Sequence, residues 1–268
     1  MSAKFILPLF LSLFSVCTVH AQKSMGATPD GVIRQLTSSD YRTVLDGLAD
    51  YMSLPKNQRT PAVKAALVQA LKNENERIRS IILTRGDAMP VYEDHGSAEG
   101  ALLLVREVYE LQDPTTIPAL LPWRGGNDEI IDFGRQAFEP VLRFIEESPP
   151  GTMRNSIAGR LYTLRMMVDY WGLDTFSTSE HQRMKQVAAK YIVNPEFSTM
   201  SNAISLAASL QERALLQMAN VLVNDDAEMA KREVGNRDRL QEIASQALAG
   251  TLEERQYVPY EERRKRGY

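Results

Sequence analysis

The chain has 268 residues, 44% of them hydrophobic and 24% charged, and carries a formal net charge of −3. A chain of that length can bury a large core unaided, and a charge so nearly balanced and so evenly spread excludes bulk nucleic-acid binding. The single cysteine, Cys17, rules out a disulfide framework and a thiolate metal site.

The amino end reads as a secretory leader. Lys4 supplies a positive n-region, Phe5–Val16 an apolar h-region interrupted by Pro8, and Val19-His20-Ala21 the small or modest residues that signal peptidases inspect. Cleavage is expected after Ala21, so residues 1–21 are the leader and the mature chain starts at Gln22, exported to the periplasm or secreted. The apolar run falls short of the roughly 20 residues that a transmembrane helix needs, and no other segment approaches that length. Two alternatives stand beside this reading, a leader kept as an anchor and a lipid on Cys17. Against the second, Val16 sits where a lipobox wants a small residue.

Residues 22–37 are assigned to a linker, because Gln22–Gly31 is polar and contains Gly26 and Pro29. A helix is expected over Asp40–Met52, capped by Ser39, with Val44, Leu45, Leu48 and Met52 inward. Thr60-Pro61 is a helix start, a cap followed by a first-turn proline. From it Val63, Leu67, Leu71 and Ile78 form one stripe through Ile82, while polar Lys72–Arg77 covers the solvent side. Residues 85–96, RGDAMPVYEDHG, have no period and read as a loop. Ser97 then caps a helix to Gln112 that faces Leu104, Val105, Val108 and Leu111 to the core.

The stretch from Asp113 to Ile145 is the most informative. Asp113 caps a helix with Pro114 at its first position, Ile117, Leu120 and Leu121 form its buried stripe, and Pro118 and Pro122 keep it short or kinked. After a turn at Arg124-Gly125-Gly126-Asn127, Ile130, Ile131, Phe133, Ala137, Phe138, Val141, Leu142 and Ile145 cover one side of a second helical segment. Within it, Gly134 allows a break. The order Asp-Pro, Ile-Pro-x-Leu-Leu, small turn, Phe-Gly-x-x-Ala-x-x-Pro-Val-Leu resembles a divergent HEAT-like repeat over about 33 residues, with the flanking helices matching loosely. The resemblance implies stacked helical hairpins, each stable only on its neighbours, forming an α-solenoid over residues 38–250 that supplies a surface for partners.

Further helices follow. Ile157, Leu161, Leu164, Val168 and Trp171 recur at steps of three and four. Ser177 and Glu180 have capping-box spacing before Met184, Val187, Ala188 and Tyr191. Ala203, Ala207, Leu210, Ala214, Met218 and Val221 mark one long alanine-rich helix, and a last helix spans Arg237–Ala249 and stops at Gly250. No strand alternation is present, so the class is all-α.

A search for chemistry returns little. Beyond the leader, the histidines are His95, in the loop, and His181, in a first helical turn, and neither stands four residues from another ligand. There is no G-x-S-x-G elbow, phosphate loop or H-E-x-x-H. Ser53-Leu54-Pro55-Lys56 matches a serine-lysine pattern whose S-D-N and K-T-G companions are missing. Asp128, Glu129 and Asp132, and Asp225 with Asp226, are carboxylate clusters without an EF-hand's alternation, and are expected to cap and solvate helix starts. Tyr162, Tyr170 and Trp171 share a helix with Arg154, Arg160 and Arg165. That set fits either a grip on an acidic peptide or glycan, or core aromatics beside a solvated arginine face.

Two classes of function remain. The first is an exported noncatalytic scaffold that binds a protein or peptide, with no cofactor and no metal. The second is an enzyme or small-ligand module, which would need a concave pocket gathering His95, His181 or several carboxylates. Residues 251–268 are expected to be a disordered tail. Within it Arg263, Arg264, Lys265 and Arg266 are the candidate partner-binding residues, a docking element for an acidic partner or membrane surface.

Overall fold

The computed structural model describes residues 27–85, 97–123, 127–149, 151–152, 154–232, 236–253, 257–259, 262 and 265. Among these the fold is all-α, without a strand. The chain divides into two compact units, residues 1–63 and 64–268.

In the first unit, helix α1 (Pro29–Leu36) lies within the stretch that composition assigns to a linker. Thr28 caps it, its hydroxyl accepting from the Gly31 amide at 3.2 Å, and Pro29 opens the first turn. Val32 and Leu36, four residues apart on one face, are fully buried. Helix α2 (Tyr41–Ser53) is capped by Asp40 rather than Ser39. The Asp40 carboxylate accepts from the Thr43 amide at 3.0 Å and its hydroxyl at 2.6 Å. Val44, Leu48 and Tyr51 are buried, whereas Met52 is exposed. Arg59 places its guanidinium 4.6 Å over the Tyr51 ring and donates to the Met52 and Leu54 carbonyls. The two helices pack on each other at Gly47. A Cβ there would meet Gln35 Cβ at 2.6 Å and the Leu36 amide nitrogen at 2.9 Å.

Helix α3 (Pro61–Arg85) starts at the Thr60-Pro61 signal, with Val63, Leu67, Leu71 and Ile78 buried. Its polar stretch does not simply face solvent. Glu74 is buried and pairs with Arg77 at 2.6 Å, and Asn75 donates to the Ala119 carbonyl 44 residues away. The loop expected next falls, from residue 86 on, outside the described residues, as does the turn at 124–126.

The second unit continues with α4 (Ser97–Tyr109), α5 (Ile117–Leu120), α6 (Asn127–Ile131), α7 (Phe138–Glu147), α8 (Arg154–Trp171), α9 (Thr178–Ile192), α10 (Phe197–Ser209), α11 (Arg213–Asn224), α12 (Asp226–Arg232) and α13 (Arg237–Ala249). Asp113 caps a 3-10 turn that leads into α5, its carboxylate accepting from the Thr115 amide at 2.9 Å. The second segment of the Asp113–Ile145 stretch breaks where Gly134 takes a φ of 65°. All eight apolar residues expected inward between Ile130 and Ile145 are buried.

Helix–helix adjacency in this unit is regular. Helices α7 and α8 pack together, as do α9 with α10 and α11 with α13. The first members meet in sequence, α7 on α9 and α9 on α11, and so do the second members, α8 on α10 and α10 on α13. Polar bonds follow the same rule. Arg183 on α9 clamps Glu139 and Glu146 on α7 at 2.8 and 2.7 Å, and the Arg183 bond and charge hold the Glu139 carboxyl below its usual range. Arg135 bonds Glu180 of the α9 capping box and stacks 4.4 Å from Phe138 and 4.7 Å from Phe176.

The long alanine-rich helix is two helices. Gln211, at φ 58°, breaks it between α10 and α11. The break resets the phase, so Ala203, Ala207 and Leu210 are buried but Met218 and Val221 are exposed. Leu216, Ala219 and Val223 are the buried residues of α11. Among the described residues, no helix is long and apolar enough to cross a membrane.

Candidate functional site

The second unit contains a polar cleft of about 930 Å³ bounded by α8, α10 and α13. Helical periodicity builds each wall. From α10 come Ser198, Ser201, Asn202 and Ser205, and from α13 come Arg239, Glu242, Ile243 and Gln246. Both sets have the spacing i, i+3, i+4, i+7, one face of a helix. From α8 come Ala158, Gly159, Tyr162 and Arg165. Glu129 on α6 and Thr251, Leu252 and Glu253 after α13 complete the lining.

The polar groups are held in place. Asn202 donates to the Ala158 carbonyl at 2.9 Å and joins α10 to α8. Ser201 donates to the Ser198 carbonyl at 3.1 Å. At the head of α10, the Glu196 carboxylate caps the amides of Ser198 and Thr199 at 2.9 and 2.6 Å. Burial pushes the Glu196 pKa up, but these bonds outweigh it and hold it below the usual carboxyl range.

Arg160 and Arg165 of α8 are not a solvated face. Arg165 is 7% exposed, pairs with Asp169 at 3.2 Å, and donates through Nη2 to the Glu253 backbone carbonyl at 2.9 Å. Arg160 is fully buried and donates to the Trp123 carbonyl at 2.7 Å. Burial pushes its pKa down, to about 9, against the pull of Glu129. The Arg154 side chain lies outside the described residues.

Asp132 is set between two tyrosines. The Tyr109 hydroxyl donates to Oδ2 at 2.5 Å and the Tyr257 hydroxyl to Oδ1. The Tyr257 ring also meets the Tyr170 ring edge-on, with centroids 4.6 Å apart. The segment after α13 is thus docked at Glu253 and Tyr257, where the composition leads one to expect a disordered tail. Of the basic run, Lys265 is exposed. Arg263, Arg264 and Arg266 lie outside the described residues.

Other candidates are dispersed. His181 on α9 is apart from the cleft, its Nε2 3.3 Å from Glu212 Oε1 without hydrogen-bond geometry, while Lys185 pairs with the same carboxylate at 2.8 Å. His95 and the Asp128 side chain are outside the described residues. Asp225 caps the start of α12, accepting from the amides of Ala227 and Glu228 at 3.0 Å each, and Asp226 pairs with Arg237. Ser53 donates to the Asp50 carbonyl, and Lys56 is exposed in a 3-10 turn. Among the described residues, no group of three or more His, Cys, Asp or Glu gathers as a metal site.

Sequence reading missed the cleft. Its sequence signals are the polar stripe Ser198, Ser201, Asn202, Ser205 and the pair Tyr162 and Arg165, two members of the set that fits a grip on an acidic peptide or glycan. No protein-family model, curated protein sequence or solved structure matches the chain.

Proposed function

We propose that the chain is an exported, noncatalytic scaffold of stacked HEAT-like hairpins that takes a protein or peptide segment in the cleft bounded by α8, α10 and α13. Two observations support the stacking. The paired helices α7/α8, α9/α10 and α11/α13 meet their neighbours first to first and second to second. Bonds between alternate helices also join residues 44 apart, as in Asn75 to Ala119, Arg183 to Glu139 and Asn202 to Ala158. That spacing falls within the roughly 40–47 residues of HEAT and armadillo repeats.

The observation that carries the binding role is the lining. One face from each of three second-row helices turns hydroxyl, amide and guanidinium groups toward one open groove. Such groups donate to and accept from a partner's backbone. Electrostatically the groove is mixed, with Arg165 and Arg239 beside Glu129, Glu242 and Glu253, which suits a polar polypeptide better than a strongly charged ligand.

The test is affinity capture from the exported fraction with the full chain and with a Ser201→Arg, Gln246→Arg variant that fills the groove. Proteins retained by the parent and lost by an equally stable variant support the reading. Identical capture by both removes the cleft from the function. Intact mass of the exported chain tests the leader, with a start at Gln22 expected and residues 1–21 or a lipid on Cys17 opposing it.

A further inference from the structure

The cleft is already touched by a peptide, the chain's own segment beyond α13. Gly250, at φ 70°, ends that helix, and the non-helical residues Thr251, Leu252 and Glu253 then line the cleft. What holds them is mostly blind to side-chain identity. Arg165, buried and oriented by Asp169, reads the backbone carbonyl of Glu253 at 2.9 Å. Any residue at that point of a docked segment presents the same carbonyl.

Four residues on, the contact becomes selective. Tyr257 gives its hydroxyl to Asp132 and its ring to Tyr170, which remains 53% exposed. Asp132 follows the cleft residue Glu129 by three positions, and Tyr170 directly follows Asp169, the partner of Arg165. Asp132 and Tyr170 are thus close in sequence to the cleft residues Glu129 and Arg165, though they stand outside the cleft lining itself. A phenylalanine would leave the Asp132 Oδ1 bond unmade, and an aliphatic residue would forfeit the ring contact as well.

Building on the scaffold reading, we infer that the partner is a peptide segment that docks as Thr251–Glu253 and Tyr257 do. It sets one backbone carbonyl on Arg165 and a tyrosine, four residues later, on Asp132 and Tyr170. The resident segment is the template for this ligand and its competitor. Tethered to α13, it competes at an effective concentration on the order of mM, so a partner binds tightly only when the resident tyrosine is released.

The experiment uses the full chain and a fluorescein-labelled peptide spanning residues 251–259, followed by anisotropy. Wild-type chain should bind it weakly. The Tyr257→Ala chain, whose resident segment has lost its tyrosine anchor, should bind at least ten-fold more tightly. A peptide with its tyrosine changed to phenylalanine should lose most of that gain, a control that leaves the protein's folding untouched. Adding Arg165→Met to the Tyr257→Ala chain should abolish the gain, with a thermal melt confirming the fold. Equal affinity for wild-type and Tyr257→Ala chains, or a gain indifferent to the peptide's tyrosine, overturns the inference. A peptide gain without partner capture would count against the scaffold role alone, and cleft-dependent capture without a peptide gain against this inference alone.

Discussion

Asn202 donates its side-chain amide to the Ala158 carbonyl, bonding α10 to α8 across 44 residues of sequence. Among the described residues, the helix pair it joins is the most extensively packed. Asn202→Leu removes the donor and is expected to cost about 1 kcal/mol, a fall in melting temperature of roughly 2–4 °C for a domain of this size. An unchanged melting temperature would remove this bond from the account of how α10 is held.

Leu120, on the four-residue helix α5, is 3% exposed. Leu120→Asp sets a charge in an apolar site and is expected to cost more than the 2–5 kcal/mol typical of Leu→Ala in a core. Since α6 and α7 both pack on α8, helical circular dichroism should fall well beyond the substituted turn. Retention of the wild-type melt would mean that this hairpin is not part of the core.

Acid should unfold the chain through its capped and clamped carboxylates. Glu139 is held low by Arg183. Glu180 is held low because the Ser177 and Arg135 bonds outweigh the upward push of burial, and Glu196 because the Thr199 and Ser198 bonds do the same. A folded pKa below the unfolded value means stability is fully present above about pH 4.5 and is lost as pH falls through the lower folded values. Urea melts at pH 7, 5, 4 and 3 check this. Arg183→Met should lower stability at pH 7 while flattening the acid limb, and equal losses at every pH would contradict the clamp.

Tyr257→Phe deletes one hydrogen bond to the Asp132 carboxylate while keeping the ring against Tyr170. The expected cost is about 1.5 kcal/mol, as for a bond to a charged group. Deleting residues 256–268 should cost more, because the ring contact goes too. A truncated chain that melts with the parent would restore the picture of an undocked tail.

Local chemistry was legible in the sequence where neighbouring residues decide it. The Asp113 cap, the Ser177–Glu180 box and the stop at Gly250 all act within a few positions, and all are present. Helix α1 was hidden because its burial rests on only two apolar anchors, Val32 and Leu36, in a polar setting. The break at Gln211 was hidden because no Gly or Pro marks it; a glutamine adopts the left-handed turn instead. For Arg160 and Arg165 the sequence left a solvated face and a grip on an acidic ligand both open; helical phase puts Arg160 one turn before the buried Leu164, where it bonds the Trp123 carbonyl, and Arg165 is met by the Glu253 carbonyl and Asp169. The cleft itself could not be placed before three separate helices were brought side by side, although two of its residues, Tyr162 and Arg165, stood together in the sequence.

Gly47 inverts the usual ranking of helix formers. Inside α2 an alanine would favour the helix by about 1 kcal/mol, but a methyl at that site would collide with Gln35 and with backbone at Leu36, neither of which can swing aside like the tip of a long side chain. A saturation library selected for folded protein should therefore return glycine alone at position 47, and a thermostabilising campaign that exchanges helix glycines for alanine must leave this one untouched.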